Sequence, residues 1–224
     1  MAAFVIEGRT VEVFPGAVPG SPVVYLNTCE QEGEAVCRQL RAGGCPDLSL
    51  VAVGGLDWSR DMAPWDCPPI SAKAAPCTGG ADEYLAVLLH RIMPAAEQLV
   101  PGSPAWRGIA GYSLGGLFAV YALCRTDVFA RAASVSGSLW FPGIGGYLSA
   151  HPPLRRPDCI YFSLGDREDR TRNPFLRTVR QNTEQIAAFY AGQGVDTVFQ
   201  LNPGSHFRDV PQRTAAGLRW MAGR

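Results

Sequence analysis

Trp106-Arg107-Gly108-Ile109-Ala110-Gly111-Tyr112-Ser113-Leu114-Gly115-Gly116-Leu117-Phe118 is the stretch whose reading decides the fold. Trp106–Ala110 reads as a short strand, and the apolar run from Leu114 to Cys124 reads as a buried helix. Between them, Gly111-Tyr112-Ser113-Leu114-Gly115 matches G-x-S-x-G. A strand that stops just before this pattern and a helix that starts just after it predict a sharp turn with Ser113 at its tip. The backbone of such a serine is strained, and glycines two residues to either side leave room for it. Gly116 adds a second small residue where the helix presses on neighbouring strands. A glycine-rich turn that merely packs has the same letters; the switch from strand to helix favours a nucleophile.

Working outward, the chain alternates strands with helices. Phe4–Ile6 and Val11–Phe14 predict an opening hairpin, and Pro22–Leu26 a buried strand. Glu30–Arg41 has helical spacing and is stopped by Gly43-Gly44. Leu48–Val53 is the next strand. Residues 56–80 show no period and are expected to form a long loop. Asp82–Leu99 carries the apolar stripe of an amphipathic helix. Ala132–Val135, Ile160–Leu164 and Val195–Leu201 read as strands, and Pro174–Gly192 and Pro211–Met221 as helices. Alternation of this kind implies parallel pairing with right-handed crossovers, and one α/β domain over residues 1–224.

A serine hydroxyl attacks only when a base takes its proton. On a scaffold with a G-x-S-x-G turn the order is serine, acid, histidine. The three histidines can be sorted by position. His90 precedes the serine on a helix. His151 comes before any strand that could carry the acid. His206 lies in Asn202-Pro203-Gly204-Ser205-His206-Phe207, between the last strand and the last helix, where the base belongs. The acid is expected just after the strand Ile160–Leu164, where Gly165-Asp166-Arg167-Glu168-Asp169 offers three carboxylates. Glu168, three residues after the glycine, is the first choice, with Asp166 and then Asp169 behind it. Two backbone N–H groups are needed for the oxyanion. Leu114 is expected to supply one, and Thr28 or Cys29, after the strand Pro22–Leu26, the other.

The bulk properties exclude several classes. Twenty basic and 20 acidic residues cancel, so no electrostatic case exists for nucleic acid or an anionic membrane. The uncharged, apolar run at residues 108–124 is shorter than the ~20 residues of a spanning helix. No signal peptide is visible at the N-terminus. The seven cysteines include no Cys-x-x-Cys pair and are read as reduced thiols. A cytoplasmic protein acting on a small molecule is the expectation, with the oligomeric state left open.

These residues resemble the putative-esterase family of α/β-hydrolases, which includes siderophore (enterobactin-type) esterases, S-formylglutathione hydrolase, feruloyl esterases and mycolyltransferases. The likeness runs through Pro22–Asn27, Asp57-Trp58-Ser59-Arg60-Asp61 with Pro64-Trp65, and Gly111–Phe118. It continues through Ser134–Trp140, Leu164–Asn173 and Asn202–Phe207, nearly the whole chain. It implies an α/β-hydrolase fold, with a mostly parallel twisted sheet flanked by helices. It also implies carboxylic-ester hydrolysis through an acyl-enzyme, a small-molecule ester substrate, and no metal or organic cofactor. Two departures stand out: the His-Gly of many relatives is missing after the first parallel strand, and the chain has no room for a cap domain. Trp58, Trp65 and Trp140 fall in segments expected to surround the site, where they would stack on substrate or seal the loops against the core. Arg60 and Asp61 are expected to pair and fix their loop. Acyl transfer to an alcohol, and a non-catalytic binding protein on the same scaffold, are the competing readings.

Overall fold

A computed structural model of the chain describes residues 1–30, 32–71 and 74–224. Gln31, inside the expected first helix, and Ala72 and Lys73, inside the expected loop, lie outside the described residues. Strands β1 (Ala2–Ile6) and β2 (Arg9–Phe14) form the hairpin, turned by Glu7 and Gly8, both at positive φ. Then come β3 (Val23–Asn27), α1 (Gly33–Ala42) and β4 (Ser49–Gly54). β7 (Arg107–Tyr112), α5 (Leu114–Leu123), β8 (Arg131–Val135), β9 (Cys159–Gly165), α7 (Val179–Gly192), β10 (Asp196–Asn202) and α8 (Val210–Ala222) make up the C-terminal half.

These strands build one eight-stranded sheet in the order β1-β2-β4-β3-β7-β8-β9-β10. The six strands from β4 to β10 along this order are parallel, and the hairpin closes one edge in antiparallel pairing. Strands of this kind are covered on both faces and read as continuous apolar runs. β3 shows why: Val23 and Tyr25 enter one core, Val24 and Leu26 the other. The first core is covered by α5 and α7, the second by α1 and α8. Every residue of α5 is buried, so this helix has no polar face.

Three segments differ from the sequence expectation. The loop 56–80 contains a short helix, α2 (Trp58–Asp61), and a two-stranded ladder, β5 (Asp66–Cys67) with β6 (Cys77–Thr78). Elements this short leave no period in the sequence. The expected helix Asp82–Leu99 is present as α3 (Ala81–Val87) and α4 (Met93–Glu97), joined by a π-helical turn, Leu88–Ile92. Pro94 explains the turn: it has no N–H to donate, and its ring crowds the carbonyl four residues back, so the backbone widens there. Helix α6 (Ile144–Ala150), with Gly145 and Gly146 inside it, has too little helical signal to be read from sequence. No helix among the described residues is long and apolar enough to cross a membrane.

Helix α5 lies against β7 and β8 because glycine lets backbones meet. A Cβ on Gly116 would stand 2.9 Å from Gly137 Cα and 3.1 Å from the Gly111 carbonyl oxygen. Gly116→Val is expected to destabilise the fold by about 2–3 kcal/mol through overpacking against backbone, read as a lower denaturation midpoint with an unchanged denaturant m-value.

Candidate active site

The turn between β7 and α5 holds Ser113 at φ 57°, ψ −123°, a conformation that costs a non-glycine residue about 1–3 kcal/mol. Neighbouring backbone pins it there. Ser113 N–H donates to Val135 O at 3.1 Å, and Ser113 O accepts from Ser138 N–H at 3.0 Å. A Cβ on Gly111 would collide with the Gly115 backbone, and one on Gly115 would come within 3.0 Å of the Trp58 ring. Both glycines of the motif are therefore required by close approach. The hydroxyl is left at the end of β7, above the parallel sheet.

The structure brings His206 to that hydroxyl. His206 Nε2 lies 3.1 Å from Ser113 Oγ, and Nδ1 lies 2.7 Å from Glu168 Oε2. A carboxylate can only accept, so Nδ1 carries the proton and the Nε2 lone pair faces the serine. Ser138 Oγ, 3.3 Å away, is a second neighbour of Ser113 Oγ. Tyr112 OH donates to the His206 carbonyl at 2.6 Å, and its ring meets the imidazole edge at 5.4 Å.

Glu168 follows β9 and its side chain is 4% exposed. Burial pushes its carboxyl pKa up. Hydrogen bonds from His206, Gly165 N–H and Ser136 OH (2.8 Å) outweigh that and hold it below the ordinary glutamate value. Asp166 has a different partner. Its Oδ1 accepts the Gly204 N–H at 2.7 Å, which keeps its carboxyl low and ties down the loop that carries His206. His90 is exposed on the π turn, and His151 stacks on Tyr147; neither lines a cavity beside Ser113. Among the described residues, no group of three or more His, Cys, Asp and Glu side chains is placed to hold a metal ion.

Thr28 is taken out of its expected role. Its N–H donates to Val53 O at 2.8 Å, continuing the pairing of β3 with β4, and cannot also face an oxyanion. Cys29 N–H and Leu114 N–H have no backbone or side-chain acceptor among the described residues, and both residues adjoin Ser113. Leu114 opens α5, where N–H groups have no intrahelical partner.

Two cavities flank Ser113. One, of about 410 Å³, is lined by Trp58, Val36 and Val210, with Glu30 and Glu32. The other, of about 270 Å³, is lined by Ile70, Trp140, Leu176 and Val179. Trp58 and Trp140 thus line separate cavities, each bordering Ser113. Trp65 does not join them: its Nε1–H donates to Pro142 O at 3.0 Å and its ring packs on Phe141 and Tyr147. It seals loops. Arg60 pairs with Asp61, which is buried and also bonded by Arg9, so this acidic side chain anchors the α2 segment to the hairpin.

Sequence reasoning missed two residues here. Phe207 is 87% exposed and borders both cavities; its place beside His206 was the available signal. Arg213, buried on α8, contacts the histidine loop, and no motif announced it.

This sheet, with a serine on a strained strand-to-helix turn and a histidine after the last strand, is an α/β-hydrolase fold. The chain belongs to the "Putative esterase" family, whose model matches residues 22–210. It is 26% identical over 177 residues to the uncharacterized protein YbbA of Bacillus subtilis (strain 168), covering 75% of this chain and 70% of that protein. Among solved structures it is similar to the siderophore hydrolase EstA from Aspergillus nidulans, with a TM-score of 0.79 and 20% identity over 99% of this chain and 94% of that one. It is also similar to an IroE-like serine hydrolase from Shewanella oneidensis, with a TM-score of 0.76 and 18% identity over 95% of this chain and 75% of that one.

Replacing Glu168 by Gln is expected to lower kcat by about 10³–10⁴-fold, the cost of losing the tautomer-fixing carboxylate; Asp166→Asn should cost under about tenfold, since it touches only the loop. Steady-state kinetics on both variants tests the assignment. Because folding lowers the Glu168 pKa, its carboxylate stabilises the fold above the ordinary range of about 4.3 and loses this as pH falls through the lower folded value. Acid unfolding of Glu168→Gln should accordingly be less steep in pH.

Proposed function

We propose that this esterase-family chain is a serine carboxylic-ester hydrolase working through an acyl-enzyme. The observation that carries the reading is the continuous line of hydrogen-bond distances from Ser113 Oγ through His206 to Glu168, 3.1 Å and 2.7 Å. His206 Nε2 takes the Ser113 proton as Oγ attacks the ester carbonyl carbon. Leu114 and Cys29 N–H stabilise the oxyanion. His206 then returns its proton to the departing alkoxide as the carbon–oxygen bond breaks, leaving the acyl group on Ser113. Water, deprotonated by His206, attacks that acyl carbon, and Ser113 leaves with the proton. Glu168 orients the ring and stabilises its charged form without taking the proton itself.

The two cavities would hold the acyl and alcohol halves on either side of the carbonyl, with Trp58 and Trp140 as their aromatic walls. The siderophore hydrolases of similar fold make siderophore esters the first natural substrates to try.

Ser113→Ala should fold normally and lose turnover of short p-nitrophenyl esters by at least about 10³-fold; activity retained in that variant sinks the proposal. A fluorophosphonate should label Ser113 and nothing else. The kcat/KM profile should fall toward acid as the base becomes protonated.

A further inference from the structure

One buried charged side chain has no part in the mechanism above. Arg213, on the first turns of α8, is 4% exposed. Burying a guanidinium is costly unless its N–H groups are all but satisfied. Here Nη2 donates to Pro203 O at 2.9 Å, and Nη1 donates to Ser205 O at 3.0 Å. Nη1 also lies 3.3 Å from Tyr112 OH and 3.6 Å from Glu168 Oε1. The planar fork thus grips the two carbonyls on either side of Gly204, the second of them directly before His206. It simultaneously touches the tyrosine next to the nucleophile and the acid behind the imidazole. Gly165 makes the convergence possible: a Cβ there would stand 3.1 Å from Arg213 Nη1 and 3.0 Å from Glu168 Oε1.

We propose that Arg213 is a positioning residue for the Ser113–His206–Glu168 line: its guanidinium clamps residues 203–205 and lies against Glu168, setting where the imidazole sits and how firmly it holds a proton. The catalytic part rests on the esterase reading. The arginine touches no reacting atom and acts through the histidine loop and the carboxylate. A lysine offers a point charge without the fork, so charge and geometry can be separated by substitution.

The charged and titratable groups on the elements around His206 set the sign of the pH effect. They are Glu168, Asp166 and Arg167 after β9, Tyr112 at the turn, and Arg208 and Asp209 on its own loop. Arg213 comes from α8, and Glu30 and Glu32 lie across the cavity. Removing the arginine cation leaves the Glu168 carboxylate unopposed, which favours the imidazolium. The acid limb of activity should therefore move upward in pH.

The test uses Arg213→Lys and Arg213→Gln in the full chain, with melting temperature, steady-state kinetics and NMR titration of the ring C–H signals. Three histidines make the His206 signal assignable. Arg213→Lys should keep the titration midpoint of His206 while kcat drops about 10- to 100-fold, the cost of an ångström-scale misplacement. Arg213→Gln should raise that midpoint, and the acid limb with it, by about half a unit to one unit. Wild-type kcat in the lysine variant, or a wild-type midpoint in the glutamine variant, overturns the proposal. So does loss of the fold in both, which would leave Arg213 a role in folding alone. The titration needs no substrate: a wild-type chain inert toward every ester would sink the hydrolase reading and still leave the arginine's effect on His206 to be decided.

Discussion

At Ser113 the backbone runs at φ 57°, ψ −123°, and the strands around it are arranged so that it cannot relax. Val135 at the end of β8 accepts its N–H, Ser138 donates to its carbonyl, and α5 is pressed onto the turn through Gly115 and Gly116. These contacts need β7 and β8 in register and a helix without side chains at two positions. The parallel pairing of β7 with β3 and β8, the burial of α5 on all sides and the exposure of one hydroxyl follow from the same constraint.

The second half of the site is built toward the edge of the same parallel run. β9 and β10 pair in register from Cys159↔Asp196 to Gly165↔Asn202, so the segments that follow them leave the sheet side by side. One carries Glu168 and Asp166, the other His206. The two carboxylates meet different partners, since Glu168 takes the imidazole while Asp166 takes the Gly204 N–H in the loop before it. Neighbouring acids of the same sequence segment are thus separated by which way the turn after Gly165 points them. The buried Arg213 closes this arrangement from α8, so the last helix is tied to Tyr112 and to the loop that carries His206 through three hydrogen-bonding groups.

Ligands in parallel α/β sheets sit beyond the carboxyl ends of the strands. Here that end is divided by the Ser113–His206 line into two cavities with different walls. One carries Trp58, Glu30 and Glu32 at its lining, the other Trp140, Leu176 and Glu168. Phe207 stands on the divide with most of its ring in solvent. An exposed aromatic at this place has a face to offer to whatever occupies either cavity.

Sequence alone determined the strand–turn–helix around Ser113, the α/β alternation and the place of His206 after the last strand, because period, glycine placement and chain order are local properties. It also narrowed the acid to the short segment after Gly165. It misjudged residues 56–80 and α6, whose short elements are held by tertiary contacts such as Trp65 Nε1–H to Pro142 O instead of by local preference. Only the tertiary structure decided which carboxylate meets the imidazole, because Asp166 and Glu168 differ in direction and not in chemistry. The same holds for Thr28, whose N–H belongs to Val53 across the sheet, and for Arg213, whose partners lie eight to about a hundred residues away. Hydrogen bonds between distant strands leave no trace in the local pattern, so such roles become visible only once the chain has closed on itself.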